Sequence, residues 1–377
     1  MSGIYIHIPF CKQACFYCDF HFSTSLKKKD ELIESLILEI KLRKNELKND
    51  VIETIYFGGG TPSMLSQTEI DSIIDAVYKY HKVIINPEVT LEANPDDLTK
   101  KKIKELAKSR INRLSIGIQS FFEQDLKLMN RAHSAQEAKK CLSEARRYFQ
   151  NISVDLIYGI PGVSNKQWKK NIEIVMSFDI PHISCYALTV EPNTALESFI
   201  KKGIIEDVND QQAQEQFYIL IDELSKHNFI HYELSNFAKE GAFSKNNSSY
   251  WQGKSYLGIG PSAHSFDGEE RSWNIKNNSK YNNAIQQYQL PIQRELLSIT
   301  DKYNEYVMTS LRTIWGVSLE KINQEFGEQY YNYILMQSEK YRAEDLLYIE
   351  DEKLKTTLKG KFLSDGISAD LFKLNLS

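Results

Sequence analysis

Short β-rich runs alternate with segments of helical periodicity through the first half of the chain, and this alternation constrains the fold more than any other feature. The strand candidates span residues 4–8, 52–57, 89–92, 113–118, 153–158 and 182–188. Apolar residues recur at helical spacing between them, at residues 30–47, 67–80, 99–109, 135–148 and 167–177. Because parallel strands need long crossovers, the pattern predicts six parallel strands packed against helices. Ligands of such sheets bind at the carboxyl ends of the strands, so we expect the chemistry in the turns that follow them.

Length and charge limit the class of protein further. With 377 residues the chain exceeds one ordinary hydrophobic core, so two or three domains are expected. Lysine and arginine total 46 against 50 acidic residues, a net charge of −4, which argues against nucleic acid as a partner. No apolar stretch approaches the roughly 18 residues of a membrane helix, and no signal peptide is evident. We therefore expect a cytoplasmic protein without a membrane segment.

The alternation fades after the sixth strand candidate, which divides the chain into three expected regions. Residues 1–190 carry the repeated strands and helices. Residues 191–296 hold a helical stretch and a region rich in glycine, serine and asparagine, and we interpret them as an extension and connector with a site of their own. Residues 297–377 begin as a helix and become short and mixed, as in a small α+β C-terminal domain.

Three of the five cysteines, Cys11, Cys15 and Cys18, fall within eight residues directly after the first strand candidate. In a reducing compartment such clustering indicates metal or redox chemistry. Structural zinc normally takes four ligands, and no second cysteine pair completes a set. Three thiolates can instead hold three irons of a cubane cluster and leave the fourth iron open to a small molecule. The alternative is three unrelated buried thiols, the role that we expect for the isolated Cys141 and Cys185.

Polar residues and glycines follow several of the other strand candidates. Gly58, Gly59 and Gly60 end the second strand, where a backbone without side chains can approach a ligand closely. Strand ends farther along the chain carry the polar residues Glu92, Gln119 and Asp155, and Arg131 follows a short helix. Each has an ordinary structural alternative, as a tight loop, a helix cap or a solvated cation. Together they offer acceptors and a cation for a ligand with hydroxyl, amine and carboxylate groups.

The spacing Cys-x3-Cys-x2-Cys resembles the signature of the radical S-adenosylmethionine (SAM) enzymes. The resemblance implies a partial (β/α)6 barrel with a 4Fe-4S cluster on the three cysteines. It also implies that the amine and carboxylate of SAM chelate the open iron and that the reduced cluster cleaves SAM to a 5′-deoxyadenosyl radical. Carried over to this sequence, the residues implied to bind SAM are Tyr5, Tyr17, Gly59, Gly60, Thr61, Glu92, Gln119, Arg131, Asp155 and Ala187.

The segment from Tyr5 to Cys11 is similar to the entry strand of one branch, the oxygen-independent coproporphyrinogen III oxidase-like proteins of the HemN/HemW family. The oxidase HemN carries a further cysteine two residues after the third, where this chain has Phe20. Phenylalanine there resembles the heme chaperones of the family and implies binding of heme and its transfer to an acceptor protein. Without the family, Phe20 is expected only to shield the cluster from water. Oxidative decarboxylation of coproporphyrinogen and a purely structural iron–sulfur protein remain as alternatives, so the assignment as an enzyme stays open.

Residues 243–251 resemble a His-Asn-x-x-Tyr-Trp segment that is associated with heme binding in the chaperone branch. Asn246 stands where histidine is expected, while Asn247, Tyr250 and Trp251 match. An amide is a poor iron ligand, so the heme-binding role of this segment does not transfer simply. His264, in a glycine-punctuated turn, is a candidate axial ligand or a hydrogen-bonded structural residue. The other candidates are His7, His21, His133, His182 and His231.

Residues 304–313 resemble the helical, winged-helix-like end of the same family. A winged helix alone would suggest nucleic-acid binding, but the acidic charge and the lack of a basic stripe argue against it. The resemblance implies three partners: heme, an unidentified heme-acceptor protein, soluble or membrane-bound, and a flavodoxin- or ferredoxin-like electron donor.

Overall fold

The computed structural model describes residues 2–47 and 50–374, and the first half of this part contains six parallel strands with helices between them. The strands are β1 (Ser2–Ile8), β2 (Ile52–Gly59), β3 (Val83–Ala93), β4 (Arg113–Gln119), β5 (Asn151–Tyr158) and β6 (His182–Ala187). The helices are α1 (Lys29–Leu42), α2 (Gln67–Tyr80), α3 (Lys100–Leu106), α4 (Glu123–Leu128), α5 (Ala135–Ala145) and α6 (Asn165–Met176). Every strand and long helix that the sequence pattern predicts here is present.

The second half adds strands to both edges of this sheet. Its elements are α7 (Ala195–Lys201), α8 (Asp210–Ser225), β7 (Ile230–Glu233), β8 (Asn236–Ala238), α9 (Lys245–Trp251), β9 (Tyr256–Ile259), β10 (His264–Phe266), β11 (Glu270–Asn274), α10 (Asn278–Gln286) and β12 (Ile292–Leu296). Within the described residues the strand order is β12-β11-β10-β9-β1-β2-β3-β4-β5-β6-β8-β7. Strand β9 runs parallel to β1, whereas β10 to β12 form an antiparallel meander and β8 pairs antiparallel with β6.

The six parallel strands have an apolar outer face and a polar inner face, as the alternation of side chains along a strand requires. Outward residues such as Ile4, Ile6 and Ile8 pack with the helices in the main hydrophobic core. Inward residues are mostly polar and hydrogen-bond between neighbouring strands: Ser153 Oγ on β5 lies 2.8 Å from His182 Nδ1 on β6. The chain therefore forms a partial (β/α)6 barrel with a polar interior.

Two element boundaries differ from the predicted ones by more than three residues. Strand β3 begins at Val83, six residues before the predicted start at Val89. It runs through Pro87 because the register against β2 shifts between Ile52 and Thr54, and proline is tolerated at such an irregularity. Helix α1 ends at Leu42 rather than at residue 47, because the N–H of Glu46 bonds to the carbonyl of Arg43 in a tighter turn.

The C-terminal part has a hydrophobic core of its own and contains both helices and strands. Its elements are α11 (Ile299–Leu311), β13 (Val317–Ser318), α12 (Leu319–Lys321), α13 (Glu328–Ala343), β14 (Leu347–Glu350), β15 (Lys353–Thr356), α14 (Leu358–Lys361) and α15 (Ser364–Asp370). The three strands form a separate antiparallel sheet in the order β13-β15-β14. This small α+β domain matches the expected winged-helix-like end. No helix in the described ranges has the length and apolarity needed to cross a bilayer.

The C-terminal domain is joined to the barrel by a backbone contact next to β7. The N–H of Leu234 donates to Arg312 O at 3.0 Å, and the N–H of Ile314 donates to Tyr232 O at 3.1 Å. The side chain of Arg312 also pairs with the buried Glu233, with 3.2 Å between Nη2 and Oε1. These contacts fix the edge of the domain against the barrel.

Candidate functional site: the cysteine cavity and the interdomain cavity

The clustered cysteines lie on a loop that begins at the carboxyl end of β1 and is closed at its base. The N–H of Cys11 donates to Ser23 O at 3.1 Å, and the N–H of Ser23 donates to Pro9 O at 2.7 Å. Cys11, Cys15 and Cys18 are all half-buried and face a common cavity of about 630 Å³, which we call the cysteine cavity. The loop thus presents three sulfur atoms to one space.

The glycine turn after β2 packs directly on this loop. The N–H of Gly60 donates to Ile8 O at 2.9 Å, and the N–H of Thr61 donates to Phe10 O at 2.7 Å. Thr61 Oγ1 lies 3.5 Å from Cys11 Sγ. A Cβ atom on Gly60 would lie 2.7 Å from the carbonyl oxygens of Ile8 and Phe10, so this close approach requires glycine.

Arg131 reaches the cysteine loop from the turn after α4. Its Nη1 lies 3.3 Å from Cys15 Sγ and 3.5 Å from Tyr17 Oη. Its Nη2 donates to Asn94 Oδ1 at 2.6 Å and to Gly117 O at 2.9 Å. Its buried Nε has no hydrogen-bond partner in the described part of the chain. The guanidinium is therefore held in place with one donor left for a ligand.

Two carboxyl groups lie on the inner face of the barrel below the cysteines. Glu92 accepts hydrogen bonds from Tyr56 Oη at 2.8 Å and from the N–H of Gly59 at 3.2 Å. Burial raises the pKa of Glu92 from 4.5 to about 7. Asp155 accepts from Ser115 Oγ at 3.2 Å, and burial raises the pKa of Asp155 as well. Both carboxyl groups are therefore buried acceptors that keep a proton to higher pH than a carboxyl group in water does.

The cysteine cavity brings together most of the residues expected to bind SAM. Its walls include Cys11, Cys15, Cys18, Tyr17, Gly59, Gly60, Thr61, Glu92, Gln119, Arg131, Asp155 and Ala187. Gln119, the last residue of β4 and part of the cavity wall, has φ 66°, a left-handed conformation that is unfavourable for a residue with a side chain.

Tyr5 departs from the expected set, because the structure places it in the wall of another cavity. Its hydroxyl lies 3.2 Å from His7 Nδ1, two residues farther along β1 and on the same face of the strand. Strand alternation turns Tyr5 and His7 together toward a space of about 890 Å³ between the barrel and the C-terminal domain. We call this space the interdomain cavity.

The interdomain cavity combines aromatic rings with charged groups. The barrel contributes Tyr5, His7, His21, Tyr250, Trp251, Tyr256, His264, Phe266 and Arg271 to its walls, and the C-terminal domain contributes Ile299, Lys302, Glu305, Tyr306, Met308 and Phe326. Phe20 lines both cavities and is 68% exposed, so its ring lies between them and is not packed into a hydrophobic core.

The expected heme segment on α9 is only partly in this cavity. Tyr250 lines it and makes an edge contact with Tyr256, with ring centroids 4.6 Å apart. Asn247 does not line either cavity, which corrects its expected placement. Its N–H is used for capping, since it donates to Ser244 Oγ at 3.3 Å at the start of the helix.

The remaining candidate histidines are structural. His133, His182 and His231 are buried or half-buried, do not line either cavity and bond to protein groups. Burial lowers the pKa of His133 to about 4 and that of His231 to about 3, so both rings are neutral in the fold. The interdomain cavity is thus lined by His7, His21 and His264 in the described part of the chain.

Comparison with known proteins places the chain in a family. Residues 5–175 match the model of the radical SAM superfamily, and residues 297–363 match the HemN C-terminal domain. The chain is 31% identical over 372 residues to the heme chaperone HemW of Bacillus subtilis, a match that covers 97% of this chain and 98% of that protein. The chain belongs to the HemN/HemW family of radical SAM proteins.

Other members of the family and a solved structure agree with this assignment. The HemW of Lactococcus lactis is 32% identical, with 97% of this chain and 98% of that protein covered. The structure of coproporphyrinogen III oxidase HemN from Escherichia coli covers 99% of this chain and 90% of that chain, with a TM-score of 0.86 and 22% identity. At that identity the structural match establishes the shared fold, including the C-terminal domain.

The cysteine cavity fits the cofactors that the radical SAM family implies. In the described ranges no three His, Cys, Asp or Glu side chains are placed to hold one metal ion. A 4Fe-4S cluster does not require this, because each thiolate binds a different iron. Burial raises the pKa of Cys11, and it raises that of Cys18 to about 11, so iron binding must release their protons. The spare Nε of Arg131 and the glycine turn fit an anionic small molecule beside the sulfur atoms.

Sequence reasoning missed several residues of these sites. Asn94 bridges Arg131 and the glycine turn, since its Nδ2 donates to Thr61 Oγ1 at 3.2 Å. Its position after β3 was a usable signal, because it follows a strand end. Arg271 and Met308 of the interdomain cavity gave no such signal, since they come from distant segments with no shared pattern.

Proposed function

We propose that this protein is a heme chaperone that binds heme and passes it to an acceptor protein. The observation that carries the proposal is Phe20, which stands where HemN-type oxidases carry a further cysteine and which lines both cavities. The full-length similarity to proteins named heme chaperone HemW supports it. We place the function in the cytoplasm, with a flavodoxin- or ferredoxin-like protein as the electron donor.

Three regions divide the work in this proposal. Residues 1–190 form the barrel core with the cofactor site, residues 191–296 extend the barrel and contribute the heme region, and residues 297–377 form the C-terminal domain. The interdomain cavity supports this division, because its walls come from the barrel, from its extension and from the C-terminal domain. Its volume of about 890 Å³ lies within the usual range for sites that bury a small organic molecule.

In the cysteine cavity, Cys11, Cys15 and Cys18 would hold three irons of a 4Fe-4S cluster, and the remaining iron would be open to SAM. When bound, these groups supply an electron and a cleavable sulfonium. The surrounding residues orient SAM and exclude water. Arg131 offers its unpaired Nε–H to a carboxylate, and the buried Glu92 and Asp155 accept hydrogen bonds from amine or hydroxyl groups. Tyr17, Gly59, Gly60, Thr61, Gln119 and Ala187 complete the wall.

One anaerobic experiment tests the proposal. The reconstituted protein is titrated with hemin while the Soret band is followed, and the loaded protein is then mixed with apomyoglobin as a general acceptor. We expect saturable binding of hemin and transfer of heme to apomyoglobin. In a parallel reaction with coproporphyrinogen, we expect no conversion. Absence of a Soret change refutes the chaperone function, and formation of protoporphyrinogen establishes the oxidase alternative instead.

The cofactor assignment has its own measurement. Replacing Cys11, Cys15 and Cys18 together by Ala should abolish iron binding and the visible absorption of the cluster. Cys141→Ala is the matched control, because that thiol is buried in the main core and is expected to leave the iron content unchanged. A full complement of iron and sulfide in the triple variant would contradict the assignment.

A further inference from the structure

Strand β10 presents alternate side chains to two environments. His264 and Phe266 line the interdomain cavity, whereas Ser265 between them is buried toward α1. Arg43 Nη2 donates to Ser265 Oγ at 3.0 Å, and the same Oγ accepts from the N–H of Gly258 at 2.9 Å. The face of β10 toward α1 is therefore held in place by Ser265, and the opposite face carries the imidazole of His264.

A buried ion pair on and next to α1 anchors the turn between β9 and β10. Glu39 and Arg43 are 0–1% exposed and lie 2.9 Å apart. Glu39 Oε2 accepts from the N–H of Gly260 at 2.8 Å, and Arg43 Nη1 donates to Gly258 O at 2.7 Å. Asn274 Nδ2 also donates to Glu39 Oε1 at 2.8 Å. Because nearly every donor and acceptor of the pair is used, it holds this turn in one arrangement.

The turn itself needs such support. Ser262 has φ 66°, which is unfavourable for a residue with a side chain and is maintained only where the surroundings impose it. At the base of the turn, a Cβ atom on Gly258 would lie 2.0 Å from His264 O, so β9 and β10 meet only because this residue is glycine. The position of His264 is thus set by packing and hydrogen bonds behind it.

The three histidines of the interdomain cavity differ in their hydrogen bonds. His7 is engaged at both nitrogens, with Tyr5 Oη at 3.2 Å and His21 O at 3.0 Å. His21 Nε2 lies 2.7 Å from Asn278 Oδ1. The imidazole of His264 makes no hydrogen bond to any described residue and is exposed to the cavity. His264 therefore has both nitrogens available to a ligand.

Asn246 is placed too deep to serve the same cavity. Its side-chain Oδ1 accepts from Thr54 Oγ1 at 3.0 Å, and its N–H donates to Glu88 Oε1 at 3.0 Å, all within the buried interior of the barrel. The side chain is part of the polar packing between α9, β2 and β3. A histidine at this position would face the same buried groups rather than the cavity.

We propose that His264 is the residue that binds heme iron in the interdomain cavity, and that Glu39 and Arg43 position it from behind the sheet. This inference rests on the proposed heme-binding function and specifies its site. The surroundings match a flat apolar ligand with carboxylate groups. His264 stacks with Trp273 at 6.0 Å between ring centroids, and Arg271 lies over Phe266 at 5.8 Å.

The test compares hemin binding by the full-length wild-type protein and its variants. His264→Ala should weaken binding by at least about tenfold and shift the Soret band, because the iron loses its imidazole. Added imidazole should restore the wild-type spectrum. His227→Ala, which removes an exposed histidine that lines neither cavity, and Asn246→His should leave both affinity and spectrum unchanged.

Ser265→Ala tests the positioning role without removing a charge. It deletes the hydroxyl that links Arg43 to β10, so it should weaken hemin binding by no more than His264→Ala does and shift the Soret band, while the iron content of the cysteine loop stays unchanged. If His264→Ala binds hemin with the affinity and the spectrum of the wild type, the inference about His264 is wrong, and the proposed heme-chaperone function is unaffected. A wild-type protein that does not bind hemin would instead refute the function itself.

Discussion

The buried pair of Glu39 and Arg43 yields a prediction whose size follows from the structure. Arg43→Met keeps most of the side-chain volume but removes the guanidinium. Glu39 would then remain fully buried with neutral donors only, among them Asn274 Nδ2 and the N–H of Gly260. Removing one partner of a buried ion pair destabilises proteins by about 3–5 kcal/mol, because the other charge stays uncompensated.

The measurement is the free energy of unfolding of the protein without cofactors, from urea titration followed by far-UV circular dichroism. We expect Arg43→Met to lower it by about 3–5 kcal/mol. The double variant Glu39→Gln/Arg43→Met should recover about 1–3 kcal/mol of this loss, because the stranded charge is gone. Arg147→Met, which breaks an exposed pair with Glu144, is the matched control and should leave the midpoint nearly unchanged. An Arg43→Met protein as stable as the wild type would refute the reasoning.

Two further predictions concern the cysteine cavity. Gly60→Ala should displace the glycine turn from the cysteine loop and reduce cluster absorption, since its Cβ would lie 2.7 Å from two carbonyl oxygens; Gly366→Ala, whose Cβ meets no atom within 4 Å, is the control. The raised pKa of Glu92, about 7 against 4.5, means that the native state holds this proton more tightly than the unfolded state does, so its contribution to stability is lost as pH rises through 7. The stability of Glu92→Gln relative to wild type should therefore increase by up to about 3 kcal/mol between about pH 5 and about pH 8 in urea unfolding, and a pH-independent difference would contradict the assigned pKa.

Local pattern was sufficient for the central architecture. The alternating strands and helices predicted β1 to β6 with their crossovers, because an apolar outer face and a helical stripe leave periodic signals along the chain. The cysteine spacing and the polar residues after the strands identified most of the cysteine cavity for a similar reason. Parallel strands bring their carboxyl ends to one edge, so residues such as Glu92 and Asp155 are close in space whenever the strands are neighbours.

Local patterns did not predict the pairing of strands that are far apart in the chain. Strand β9 joins the sheet beside β1 across about 250 residues of chain, with Tyr256 opposite Gly3, and no local signal specifies that register. Pro87 inside β3 reads as a strand break in sequence, yet the register shift against β2 accommodates it. Strand alternation sets the face of β1 on which Tyr5 lies, but only the tertiary structure decides which cavity that face borders.

The sequence by itself determined the barrel strands, the cysteine loop and the polar strand ends, because these depend on residue type and short spacing. Only the tertiary structure decided which histidine faces the interdomain cavity unpaired. His7 and His264 both line the cavity, but both nitrogens of His7 are engaged by hydrogen bonds and those of His264 are not. His7 is held by Tyr5 on its own strand and by the carbonyl of His21 on the following loop, and these groups meet only once the strand and the loop have folded against each other.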